Sequence, residues 1–205
     1  MDVIERLRRR LEKPLPGVLS QMKMSSPISR KMNEDPPSNA KKSAVLLLLY
    51  PHEDFLAFPL IKRVEDGRVH SGQMAFPGGR FEPQDKTLLD TALRETHEEI
   101  GVPPSMSRIV GKLTDLYVPP SNSLVSPYVA FTAEKPKFVP DQKEVAKIVE
   151  TAVAHLYRPE NKTMKEVVIM ERYRLKVPAF DVAGEVVWGA TAMIISEFLD
   201  VLNEL

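Results

Sequence analysis

Three glutamates, Glu95, Glu98 and Glu99, stand at spacings of i, i+3 and i+4 in the run Arg94-Glu95-Thr96-His97-Glu98-Glu99-Ile100-Gly101-Val102. On an α-helix such spacing raises all three carboxylates from one surface, within a few ångströms of each other. Left alone they repel. A hard divalent cation with oxygen ligands relieves the repulsion, and Mg2+ commonly joins one or two protein carboxylates to substrate phosphates, so the cluster points to phosphate chemistry. Arg94 adjoins the cluster, and its planar fork can hold one of these carboxylates, or an upstream acid such as Asp85, in a fixed rotamer. Upstream, Phe76-Pro77-Gly78-Gly79-Arg80-Phe81-Glu82 puts two glycines where the chain approaches the helix, which lets backbone come close to an anion or fold tightly against the helix. Taken singly, the glutamates read as a solvated helix face and the glycines as an ordinary turn. The composite, closed by Gly101 at a set distance, is far rarer than its parts.

The elements that must position these residues follow from hydrophobic period. Leu88, Leu89, Ala92, Leu93 and Thr96 share a side, which predicts a helix from Lys86 to Ile100 stopped by Gly101 and Pro103. Ala44 to Tyr50 reads as a buried strand and Phe55 to Arg63 as its partner, with Pro59 marking an interruption or a nearby edge. Arg108 to Val118 and Leu124 to Thr132 read as further strands. Val145 to Val149 reads as a strand leading into a short helix through Tyr157, and Val167 to Val177 and Phe180 to Val187 as two more strands, the last bent at Gly184. Trp188, Ala192, Ile195, Leu199 and Leu202 define a final amphipathic helix. At the other end Val3, Ile4, Leu7 and Leu11 share a helical face ended by Pro14 and Pro16, and Ser25 to Lys42 has the composition of a connector. The expected organisation is therefore residues 1–42 as helix and connector and 43–205 as one catalytic domain, with strands and helices interleaved around a mixed sheet in the α/β class.

Composition narrows the chemistry further. The 28 basic and 28 acidic side chains cancel, which removes the broad electrostatic attraction that nucleic-acid and anionic-membrane binders use. No cysteine is present, so thiolate zinc sites and cysteine nucleophiles are excluded. His52, His70, His97 and His155 show no metal-ligand spacing, and zinc is not expected. The longest apolar stretch, Ala44 to Leu49, is well short of the about 20 residues a membrane helix needs, and the start of the chain lacks the pattern of a secretory signal. The cytoplasm is the expected location.

From Arg94 to Val102 the chain resembles the second half of the Nudix box, Arg-Glu-aliphatic-x-Glu-Glu-x-Gly-aliphatic, with Thr96 at the first aliphatic position. The first half of that pattern is a glycine, five residues, a glutamate and seven residues. Counting from Gly79, the glutamate position is Asp85, eight residues rather than seven separate it from Arg94, and Glu82 is the other candidate partner for the arginine. Just upstream, Arg63, Arg68, Gly72 and Phe76-Pro77-Gly78-Gly79 resemble the signature of the coenzyme A pyrophosphatase branch of Nudix hydrolases, with Val64 where a small residue is usual. Val177-Pro178-Ala179-Phe180 and Trp188-Gly189-Ala190-Thr191 are similar to that branch as well.

The resemblance implies an α/β/α sandwich and an enzyme that cleaves the pyrophosphate of coenzyme A or its thioesters to 3′,5′-ADP and 4′-phosphopantetheine. It implies Mg2+ or Mn2+ on Glu95, Glu98 and Glu99, activating a water for in-line attack. Arg94, Glu95 and Glu98 are the expected catalytic residues, and either a box glutamate or Glu144, in Asp141-Gln142-Lys143-Glu144, takes the proton. Arg63, Arg68, Gly78 and Gly79 are the expected substrate contacts, the arginines because guanidinium binds phosphate bidentately and coenzyme A carries a 3′-phosphate beside its pyrophosphate. The expected partner is a small-molecule nucleotide substrate of this type, with no nucleic acid and no membrane; a homodimer is left open. Hydrolysis of ADP-ribose or another nucleoside diphosphate derivative is the alternative within the enzyme class, opposed by the upstream arginines. A catalytically inactive ligand-binding regulator is opposed by the presence of all three box glutamates. RNA decapping ranks last, for want of a basic channel.

Overall fold

In the computed structural model the described residues are 2–26, 36–53, 55–67, 70–169 and 173–205. The apolar run near residue 44 forms the middle of strand β1 (Lys41–His52) and is apolar throughout because both faces of the strand are covered. Ala44, Leu46 and Leu48 face a cluster with Ala92 and Ile100 of helix α3 (Leu88–Ile100). Leu47 and Leu49 face the opposite cluster, shared with Ile4 and Leu7 of α1 (Val3–Leu11) and Ile194, Ile195 and Phe198 of α5 (Gly189–Asn203). The period-2 alternation of a strand thus builds two cores, one per helical layer, as the α/β/α expectation required. Phe58 anchors the larger core, with ring centroids 5.4 Å from Phe76 and 6.3 Å from Phe198.

Around β1 the sheet is mixed. β7 (Ser123–Phe131) runs parallel to it, from Lys41↔Ser123 to Leu49↔Phe131. The other flank of β1 changes partner along its length. β4 (Gly78–Arg80) pairs antiparallel with residues 43–45 and β2 (Phe55–Arg63) antiparallel with residues 50–52. β3 (Met74–Ala75) and β8 (Val145–Ala152) pair with β2, while β5 (Arg108–Lys112) and β6 (Leu116–Val118) pair with β7. Pro59 does not interrupt β2. It faces β8 at Glu150, and on its other side it falls between the stretches paired with β1 and β3, where its missing N–H breaks no ladder.

Several expected boundaries move. Helix α3 begins at Leu88, two residues later than its apolar period suggested, because Thr87 caps it: the Thr87 hydroxyl accepts from Asp90 N and the Asp90 carboxylate accepts from Thr87 N. The single strand expected from Arg108 to Val118 is β5 and β6, separated where buried Glu197 of α5 accepts from Thr114 N at 3.2 Å and Thr114 Oγ1 at 2.6 Å. The two strands expected after residue 167 are a three-stranded antiparallel sheet of β9 (Lys162–Ile169), β10 (Tyr173–Val182) and β11 (Glu185–Trp188). Gly184 belongs to a tight turn, with Ala183 also at positive φ, so the expected bend is a reversal. Three of the described strands and α-helices are absent from the sequence expectation: β3, β4, and the short α2 (Val18–Met22), whose Ser20 carbonyl accepts from Ser196 Oγ of α5 at 2.8 Å. Helix α4 (Val153–Leu156) follows β8 as expected. Among the described residues no helix is long and apolar enough to cross a membrane.

Glu197 also accepts from Gln21 Nε2 at 2.9 Å, so one buried carboxylate joins α2, α5 and the β5–β6 break. Replacing it by alanine strands those donors in the interior, at about 1–3 kcal/mol for each that stays unpaired. Glu197→Ala is expected to lower the urea midpoint accordingly and to speed amide exchange across α2; unchanged stability would mean the network is dispensable.

Candidate active site

Helix α3 carries the three glutamates in graded exposure. The side chain of Glu99 is 2% exposed, that of Glu95 14% and that of Glu98 57%. The helix surface therefore runs from the interior out to solvent over little more than one turn. His97 is exposed, in keeping with its variable position, and Thr96 is buried with its hydroxyl donating to Ala92 O at 2.7 Å, which allows it to stand at an aliphatic position.

Arg94 organises this surface. Its Nε and Nη2 donate to the two oxygens of Asp85 at 2.9 and 3.0 Å, a bidentate fork that settles the choice between Asp85 and Glu82. Glu82 serves by its backbone N–H, which donates to Asp85 Oδ2 at 3.0 Å, while Thr91 Oγ1 donates to the same oxygen at 2.8 Å. The Arg94 guanidinium, with these donors, holds the Asp85 carboxyl well below the usual carboxylate range, and Asp85 in turn holds Arg94 above its own. The remaining Arg94 Nη1 donates to Glu95 Oε1 at 3.0 Å and Glu98 Oε2 at 2.9 Å. Two of the three box carboxylates are thus oriented by one nitrogen.

The glycine pair makes room for the other contacts. Gly78 lies against β1 with φ 151°, where a β-carbon would collide with the backbone of Ala44 and Val45, and its N–H donates to Glu99 Oε2 at 2.8 Å. Gly79 lies against the Glu95 carboxyl, which a β-carbon would strike. The anion that backbone approaches here is the protein's own Glu99. The second oxygen of Glu99, Oε1, is buried without a hydrogen bond, with Arg63 Nη1 3.6 Å away. Burial pushes the Glu99 carboxyl up to about 8, against the pull of the Gly78 N–H and of Arg63. Burial also raises Glu95, opposed by Arg94.

The turn at residues 139–145 completes the site. Val139 N and Asp141 N donate to the carbonyls of Ile100 and Glu99, both at the C-terminal end of α3 where carbonyls lack helical partners. So docked, the turn brings Glu144 close enough for its charge to raise both Glu95 and Glu99. Glu144 O accepts from Val64 N at 3.1 Å, which ties the turn to the end of β2. Arg63, Val64, Asp66, Lys143 and Glu144 line an open cavity of about 300 Å³ beside the carboxylates.

Arg94, Glu95, Glu98, Glu99, Glu144, Arg63, Gly78 and Gly79 are therefore brought together, whereas Arg68 lies outside the described residues. Thr91 and Lys143 also belong to the site, and Asp85 takes the place of an acid partner for Arg94. Asp85 was legible only as one of two partners for Arg94, and nothing in the sequence pointed to Thr91 or Lys143. A buried carboxylate oxygen without a donor, next to two further acids, suits a hard cation. Among the described residues no three acids or imidazoles form a ready-made ligand set, since Glu95 and Glu98 are turned toward Arg94.

Comparison with known proteins identifies the family. The model of the NUDIX domain family matches residues 40–173. The chain is 32% identical over 173 residues to an uncharacterized Nudix hydrolase, NudL, of Pectobacterium atrosepticum, spanning 79% of this chain and 83% of that protein. It is 30% identical over 172 residues to NudL of Yersinia enterocolitica, spanning 81% and 84%. In structure it is similar to a Nudix hydrolase from M. smegmatis, RenU, with a TM-score of 0.52 and 17% identity over 81% of this chain and 88% of that one, a likeness of fold.

Two outcomes test the geometry. Because Glu99 is raised to about 8 from an ordinary 4.5, the metal-free fold has its full contribution below pH 4.5 and loses it as the pH rises through 8. In EDTA the thermal midpoint should fall between pH 5 and pH 8, and Glu99→Gln should flatten most of that fall; an equal slope in the variant would mean the carboxyl is not the source. Gly79→Ala should displace Glu95 and lower kcat by at least about tenfold while the far-ultraviolet spectrum holds, as expected for a misplaced catalytic contact; full activity would place Glu95 elsewhere in the working enzyme.

Proposed function

The chain belongs to the Nudix family and is a hydrolase, and on that premise we propose that it cleaves the pyrophosphate bond of coenzyme A or one of its thioesters. The products are 3′,5′-ADP and 4′-phosphopantetheine or its acyl form. The observation that carries the reading is Arg63, a guanidinium 3.6 Å from the buried Glu99 carboxylate and on the wall of the adjoining cavity. A substrate with several phosphates gives such a cation an anion to bind that its own carboxylate neighbour does not satisfy. The spacing of Arg63 to Phe76-Pro77-Gly78-Gly79 supports the coenzyme A branch over ADP-ribose hydrolysis, and Arg68 is proposed as a second phosphate contact.

Glu95, Glu98 and Glu99 are the residues that would hold Mg2+ or Mn2+, which would neutralise the pyrophosphate and make water a better nucleophile. The protein's own groups do the rest. Water attacks one phosphorus, the bridging P–O bond breaks, and the water's proton passes to a carboxylate. Glu98, the exposed member of the cluster, and Glu144, on the facing turn, are the candidates for that base. Arg94 holds Glu95 and Glu98 in place, and Asp85 keeps Arg94 from leaving them for the substrate. Gly78 and Gly79 bring main chain close to the same centre and are proposed to line the bound pyrophosphate. A cytoplasmic location is part of the same proposal.

A substrate panel with product identification by mass spectrometry tests the reading. Coenzyme A should be cleaved to 3′,5′-ADP, exceed its 3′-dephospho form by about tenfold to hundredfold in kcat/KM, and fall to background in EDTA. That ratio corresponds to a charge-assisted contact of roughly 1.5–3 kcal/mol. ADP-ribose or a dinucleotide turned over far faster than coenzyme A would remove the substrate assignment and leave the family intact.

A further inference from the structure

Lys143 and Glu144 are neighbours in one turn, yet they meet different surroundings. Glu144 acts electrostatically on Glu95 and Glu99, and the cation that acts on Glu99 is Arg63. Lys143 lines the same cavity but has no carboxylate partner for its ammonium among the described residues. Two other lysines at this edge of the sheet are committed: Lys62 and Lys147 reach Glu185 at 3.1 and 3.4 Å. The turn is also firmly set. Asp141 Oδ1 accepts from Lys143 N at 3.0 Å, and Asp141 O accepts from Glu144 N at 3.0 Å and Val145 N at 2.8 Å, while Asp141 N is bonded to the end of α3. The turn fixes where the lysine stem leaves the backbone, so an arriving anion has to order only the side chain.

The geometry points to Lys143 as a specificity-determining residue whose ammonium binds a phosphate monoester of the substrate, separate from the pyrophosphate under attack. The inference rests on the reading that the substrate carries such a group. The lining carries two cations, Arg63, which also approaches Glu99 at 3.6 Å, and Lys143, which does not. Asp66 and Glu144 are the acids on the same lining and oppose an anion placed near them, so a dianionic monoester gains by direct contact with the Lys143 ammonium, which a neutral substituent cannot match. Lys143 is exposed, and its replacement removes no packed side chain.

Calorimetric titration of the full chain in Mg2+ buffer with 3′,5′-ADP and with 5′-AMP isolates the contribution of the 3′-monoester, since the two ligands share the 5′-phosphate, and needs no turnover. The unaltered protein should bind 3′,5′-ADP at least about tenfold more tightly than 5′-AMP. Lys143→Ala should erase most of that ratio and Lys143→Arg should restore it. Equal weakening of both ligands in Lys143→Ala would mean that the lysine serves a phosphate they share, and an unchanged ratio, or none in the unaltered protein, would also overturn the inference. A ratio that depends on Lys143 in a protein that does not cleave coenzyme A would keep the monoester site and discard the substrate assignment.

Discussion

Taking a carboxylate out of water leaves it with few ways to remain charged, and Glu99 is held under that constraint by a helix packed on β1. One of its oxygens receives the Gly78 N–H and the other has only a distant guanidinium. The rest of the site can be read as the consequence. Gly78 must come close enough to donate, so it must lack a side chain where β4 meets β1, and β4 exists because that approach is tight enough to pair. Phosphate chemistry draws on the same instability, since a buried carboxylate with one oxygen left without a hydrogen bond gains more from a cation than an exposed one does.

Arg94 works against that instability from the other side. Its strong fork with Asp85 is a fixed point, anchored by Thr91 Oγ1 and Glu82 N, from which its third nitrogen reaches Glu95 and Glu98. Asp85 stands one residue further from Arg94 than the family pattern has its acid, and the bidentate contact forms regardless. Asp85 reaches Arg94 from the loop before Thr87, so spacing along the chain and position in space part company here.

Much of this was legible from residue types. The glutamate spacing, the stop at Gly101 and the two-faced burial of β1 depend on local period, and local period is what a sequence displays directly. The partner of Arg94 stayed open between two acids because both were within reach of a long side chain, and only the fold decides which one faces it. The break at Thr114 was hidden because its cause, Glu197, lies 83 residues away on α5. The hairpin between β9 and β10 was hidden for the opposite reason: the connection after Ile169 carries no glycine or proline, and apolar residues continue on both sides of it. Lys143 could not be found by type at all, since a lysine in a polar turn is usually a solvated one.

Glu99 is used twice, by its side chain toward Gly78 and by its carbonyl toward Asp141 N. The strand on one side of the cleft and the turn on the other therefore share one residue as a common contact, although each has its own further anchor, β4 in its pairing with β1 and the turn in the Val139–Ile100 and Val64–Glu144 bonds. A displacement of the last turn of α3 is consequently felt at both walls, and the width of the cleft is coupled to the packing of that helix on the sheet.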